Sequence, residues 1–141
     1  MIEEMNSTDA ENLVRRCSFG HLACVLENGE PYLVPINYLF EGGDVFVHTL
    51  PGKKLDALRT HGKVCLQVEE IKDDCRWRSA IVFGEFEEIK QTSRKLRILQ
   101  KFSENFSRLT PVEAIGEDNI TVGGIVIFRI DIRKITGVAE N

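Results

Sequence analysis

Asn28-Gly29 sits between two apolar runs, residues 21–26 and 31–40, and directs them to pair as a β-hairpin. A two-residue loop needs positive φ at its centre, which Asn and Gly tolerate best, and it fixes the register of the flanking strands. The return run alternates. Tyr32, Val34, Ile36, Tyr38 and Phe40 fall on one face, with Leu33, Pro35, Asn37 and Leu39 on the other. Glu41-Gly42-Gly43-Asp44 turns the chain again, into a third strand over residues 45–49. These three strands form an antiparallel meander.

The rest of the chain adds strands and a few helices. A short helix is expected over residues 9–17, and another over Lys53–Thr60 with Leu55 and Leu58 on one face. Residues 64–68 alternate as a strand, residues 69–75 read as a charged loop, and residues 77–88 form a long strand. Leu96, Leu99, Phe102 and Phe106 give residues 92–106 helical spacing. Thr110-Pro111-Val112-Glu113 resembles a capping box that opens one more turn, and residues 121–132 make the last strand. About six strands with two or three inserted helices predict a mainly β (α+β) barrel, closed or partly closed, in one domain spanning residues 1–141.

Several function classes fall away on composition. Acidic and basic residues are interleaved around a net charge of −4, so a nucleic-acid surface is not expected. No apolar run is long enough to span a bilayer, and the opening Met1-Ile2-Glu3-Glu4 is acidic where a signal peptide is basic, so a cytoplasmic protein is expected. Cys17, Cys24, Cys65 and Cys75 form no close pair, so no metal site is expected, and Cys24 and Cys65 read as core residues.

Three segments could carry chemistry. Pro35 interrupts a strand, and proline cannot donate to a ladder. Either it marks an edge beside solvent, or the backbone groups of Ile36, Asn37 and Tyr38 are left to meet a planar heterocycle such as a flavin. Gly52-Lys53-Lys54 opens a helix, where two ammonium groups oppose the macrodipole unless a phosphate sits there. The alternative is two exposed lysines offset by Asp56, with His48 nearby as a structural histidine. Arg76 and Arg78 alternate with Trp77 and Ser79 at the start of a long strand. They could finish a phosphate cage, with Trp77 covering a ring, or form a salt-bridged rim.

Taken in order, Phe19-Gly20-His21-Leu22-Ala23, Pro31-Tyr32-Leu33-Val34-Pro35-Ile36-Asn37-Tyr38, His48 through Gly52-Lys53-Lys54, Val64-Cys65-Leu66-Gln67-Val68 and Trp77-Arg78-Ser79-Ala80 resemble the pyridoxamine 5′-phosphate oxidase-related split-barrel flavoproteins. The nearest branch is the one containing the 5-nitroimidazole resistance proteins. The resemblance covers residues 19–88, and residues 125–137 are similar to the family's closing strand.

It implies a six-stranded antiparallel Greek-key split β-barrel that forms a homodimer with FMN at the subunit interface. By the same resemblance, Pro35, Ile36, Asn37 and Tyr38 would meet the isoalloxazine. His48, Gly52, Lys53, Lys54, Arg78 and Ser79 would gather at the ribityl phosphate. The basic, Arg-Leu-x-Pro ending of the true oxidases is not matched by Ile135-Thr136-Gly137-Val138-Ala139-Glu140-Asn141, so pyridoxamine phosphate is not the expected substrate. The expected activity is an FMN-dependent oxidoreductase acting on a small organic, nitroaromatic-like acceptor, with no catalytic residue named. The alternatives are a flavin storage or sensing module, and a haem-handling protein with His48 or His21 as axial ligand.

Overall fold

The computed structural model describes residues 1–106 and 124–141. The order is β1 (Ile2–Glu4), α1 (Ser7–Arg16), β2 (Phe19–Val25), β3 (Pro31–Asn37), β4 (Leu39–Glu41), β5 (Asp44–Thr49), α2 (Lys53–Thr60), β6 (Lys63–Asp73), β7 (Arg76–Ile89), α3 (Thr92–Asn105) and β8 (Val126–Glu140). The capping box at Thr110 and the first residues of the expected last strand lie outside the described residues.

Both predicted hairpins form, but the first turns on three residues rather than two: Leu26 N–H donates to Glu30 O, Gly29 N–H donates to Leu26 O, and Gly29 alone takes positive φ, at 88°. Gly42 and Gly43 carry φ of 61° and 83°, the paired positive values of a two-residue hairpin turn whose twist matches its strands. Hydrogen-bonded neighbours run β3-β2-β6-β7-β8-β5-β4, every pair antiparallel. The two ends of that order, β3 and β4, are consecutive lengths of one segment joined at Tyr38. The sheet therefore closes through a bend in one strand rather than through a ladder. With β3 and β4 counted as a single strand, six strands make the split barrel, and the short β1 is added along the last half of β8.

Apolar side chains from alternate positions fill the interior, among them Leu22, Val45, Val47, Leu66, Val68, Ala80, Val82, Phe128 and Ile130. Ala10, Leu13 and Val14 of α1 and Ala57 and Leu58 of α2 belong to the same cluster, so both helices bury their apolar faces against the barrel. The third helix lies outside. Ile98, Leu99 and Phe102 pack with Leu39, Phe46, Ile89, Ile125 and Ile127 as a second core.

Four expectations need correction. Residues 69–73 are strand, not loop, because β6 and β7 stay paired out to Asp73 and Arg76, beyond the apolar core. The last strand runs to Glu140, held by β7 along one side and β1 along the other. Leu96 is 48% exposed, since α3 turns Ile98 inward instead. Cys65 faces the outer surface of the sheet, opposite Ala23 and Phe83, while Cys24 is buried as expected.

Candidate split-barrel site between two strand edges

The ladder of β2 and β3 decides which backbone groups are available. Leu26 N–H donates to Glu30 O at 2.8 Å and Tyr38 N–H to Ser18 O at 3.0 Å. Hydrogen-bonded residues alternate in an antiparallel pair, so Tyr32, Val34, Ile36 and Tyr38 bond towards β2. Leu33, Pro35 and Asn37 point their backbone groups the other way, where β3 has no strand partner among the described residues. Pro35 thus costs the ladder nothing. Of the three residues expected to offer free backbone groups, only Asn37 does.

The opposite wall of the split is β5. Its pairing with β4 stops at Phe46, whereas β5 itself runs on to Thr49 and then to α2. The two walls diverge from the Leu39–Phe46 pair, and Gly52-Lys53-Lys54 follows at the open side. Gly52 caps α2 without a side-chain hydrogen bond, in extended backbone that any residue adopts. A Cβ on Gly52 would meet no protein atom within 4 Å. Gly52, Lys53 and Asp56 line a groove of about 440 Å³ together with Leu26, Glu27 and Asn28 of the β2–β3 hairpin. The hairpin's part in this groove could not be read from the sequence, since residues 26–28 carry only turn chemistry.

The sequence profile of the pyridoxamine 5′-phosphate oxidase family matches residues 6–139. The chain belongs to that family. An uncharacterized protein of Rhizobium meliloti (strain 1021) is 31% identical over 91 residues, which span 64% of this chain and 60% of that relative's length. Among solved structures, a FAD-binding protein of Mesorhizobium loti superposes with a TM-score of 0.82 at 24% identity, covering 100% of this chain and 99% of its own. A candidate 5-nitroimidazole antibiotic resistance protein of Bacteroides thetaiotaomicron gives 0.76 at 18% identity, covering 99% and 89%.

The remaining expected site residues of this pyridoxamine 5′-phosphate oxidase family member are spread over the barrel. Ile36 is buried inside it, and Lys54 lies on the inner side of α2 with 8% exposure. His48 packs edge-on against Phe102 with ring centres 4.7 Å apart, beneath α3. Trp77 is half-buried and donates from Nε1 to Glu140 at 3.0 Å, and Ser79 Oγ accepts from Gln67 Nε2 at 3.0 Å. Arg78 is exposed and opens into other grooves, which share no residue with the one at Gly52. Within one chain, then, Arg78 and Ser79 do not join the lysines around a single phosphate.

Tyr38 needs the firmest correction. Its side chain is 1% exposed, and its hydroxyl donates to Val14 O at 2.5 Å. Val14 lies in the last turn of α1, where carbonyls have no partner within the helix. Tyr38 is a cap for α1 and cannot wall a ligand. Burial pushes its phenol well above the usual tyrosine value. The folded pKa exceeds the unfolded one, so this stabilisation is complete below about pH 10 and is lost as pH rises beyond it. Tyr38→Phe should lower unfolding free energy by about 1–3 kcal/mol, because it strands a buried carbonyl. It should also flatten the alkaline fall in stability. Urea unfolding at neutral and alkaline pH measures both effects.

Proposed function

We propose that the chain binds FMN along the split between β3 and β5 and works as an oxidoreductase. The carrying observation is the free edge of β3, whose Leu33, Pro35 and Asn37 backbone groups point away from the ladder beside an uncapped helix end bearing Lys53 and Lys54. Asn37 N–H can donate, and the carbonyls of Leu33, Pro35 and Asn37 can accept, at the polar rim of a planar ring. The N–H groups that open α2 and the Lys53 ammonium suit a phosphate, and the space beside Gly52 lets it approach. Glu27 and Asp56 also line the groove, so its charge suits one phosphate better than a diphosphate. Bound flavin would supply the electron transfer, while the chain orients the ring and shields it from water. A nitroaromatic is the first acceptor to try, given the fold shared with the Bacteroides thetaiotaomicron protein.

The test is fluorescence titration of flavin-free protein with FMN, FAD and riboflavin. FMN should bind most tightly. Equal affinity for FMN and riboflavin would remove the phosphate from the site, and tighter FAD binding would replace FMN with the dinucleotide.

The functional form is proposed to be a homodimer. The outer face of β3, β2, β6, β7 and β8 exposes Phe19 (54%), Leu33 (64%) and Val138 (37%) around Pro35, Ala23, Cys65, Ile81 and Phe83. His21, Gln67, Ser79 and Thr136 are interspersed among them, and a mixed sheet face with this many exposed large apolar side chains suits a protein contact. A two-fold axis across it would bring a partner to the edge where Pro35 and Asn37 lie.

A further inference from the structure

The β6–β7 hairpin outruns the barrel and carries Arg78, which within one chain lies apart from the groove at Gly52. On the inward face, Val68 and Ala80 form the last fully buried pair, and the next inward pair is Glu70 with Arg78. Further out, the ladder matches Ile71 with Trp77 and Asp73 with Arg76, which makes Lys72 the extra residue of a β-bulge. Bulges re-aim side chains and recur beside functional sites.

Four cations meet here in a chain whose net charge is −4: Arg16, Lys72, Arg76 and Arg78. Two are answered. Arg16 Nη2 lies 2.9 Å from Glu70 and Arg76 Nη2 lies 2.6 Å from Asp73. Lys72 and Arg78 have no carboxylate at ion-pair distance among the described residues. The Arg16 hydrogen bond holds the Glu70 carboxyl below its usual range, and the charges of Arg78 and Lys72 add to that, so Glu70 stays ionised and already engaged. Lys72, Arg76, Arg78 and Trp77 line a recess of about 140 Å³ together with Asn141 and Glu70, whose carboxylate is held by Arg16. That is the room of a few liquid waters, enough for an oxyanion group but not for a nucleotide.

We propose that this recess binds the phosphate or carboxylate group of a small molecule, at a site separate from the flavin phosphate. Arg78 offers a planar fork of donors to two oxygens of such a group, and Lys72 a point charge beside it. Trp77 forms the apolar rim on which the rest of the molecule can lie.

Trp77 is the only tryptophan, so its fluorescence reports on the recess directly. The full chain is titrated with inorganic phosphate and with acetate at ionic strength held constant with chloride, both with and without saturating FMN. A saturable change is expected with at least one anion, and the better anion identifies the oxyanion class. Arg78→Gln and Lys72→Gln should each weaken it about 10- to 100-fold, while Lys53→Gln leaves it unchanged. Three results would overturn the proposal. These are no response beyond the chloride control, an undiminished response in both recess variants, and an Arg78→Gln variant that loses FMN affinity as Lys53→Gln does. The last would return Arg78 to the flavin phosphate. FMN affinity read in the same samples keeps failure here distinct from failure of flavin binding.

Discussion

Lys53→Gln is expected to weaken FMN binding about 10- to 100-fold while riboflavin binding stays within about twofold. Lys53 is exposed at the first position of α2 and lines the groove shared with the β2–β3 hairpin. Its ammonium opposes the helix macrodipole in the absence of an anion. Removing that charge should therefore leave the ligand-free protein unchanged or a few tenths of a kcal/mol more stable, even as the phosphate contact is lost. This opposite movement of stability and affinity distinguishes a ligand-holding lysine from one that supports the fold. Lys54→Ala is a harsher change, because that side chain is 8% exposed on the buried side of α2, and it should lower both quantities. Calorimetric titration with FMN and riboflavin, beside urea unfolding, checks the pattern. Equal losses for the two ligands in Lys53→Gln would move the phosphate away from α2.

The parts of this site legible in the sequence were those with local causes. Asn28-Gly29 and Gly42-Gly43 set two hairpins because turn chemistry acts over a few residues, and those hairpins in turn place Pro35 on an edge. Gly52-Lys53-Lys54 stands out because ammonium groups at a helix start oppose the macrodipole, and α2 does begin there. Tyr38 was misread because its partner, the Val14 carbonyl, lies 24 residues earlier and belongs to another element. Alternation put Tyr38 on the same face as Ile36, and only the closure of the barrel against α1 shows that face to be the interior.

The outer half of the β6–β7 hairpin was missed for a different reason. Its inward positions are charged, so the apolar period that marks a strand stops at Val68 although the hydrogen-bonded ladder does not. β1 leaves no hydrophobic signal either, since all three of its residues are exposed and its strand character comes from pairing with β8. Arg78 sits where both effects meet. Its alternation with Trp77 was readable, but its distance from the lysines depends on strands that pass around the barrel.

Leu33→Asp, alone or with Phe19→Asp, is expected to convert a dimer to monomers and to abolish FMN binding at micromolar protein. Leu33 and Phe19 are strongly exposed apolar side chains of the outer face, at 64% and 54%, and each lies on a strand whose inward residues fill the barrel. Their loss removes nothing from the interior, so the isolated chain should keep its unfolding midpoint. In a two-fold interface each substitution enters twice. Burying two unpaired carboxylates costs several kcal/mol, which corresponds to a dimer dissociation constant raised by more than about 100-fold. Flavin affinity should then depend on protein concentration in the native chain, because a ligand held by two subunits binds only the assembled form. Sedimentation of native and variant chains over a range of concentrations, with FMN absorbance followed in the same cells, reads both effects together. A native chain that sediments as a flavin-loaded monomer at micromolar concentration would end the dimer proposal. A Leu33→Asp monomer that still binds FMN as tightly as the native protein would show that the split between β3 and β5 is complete within one subunit.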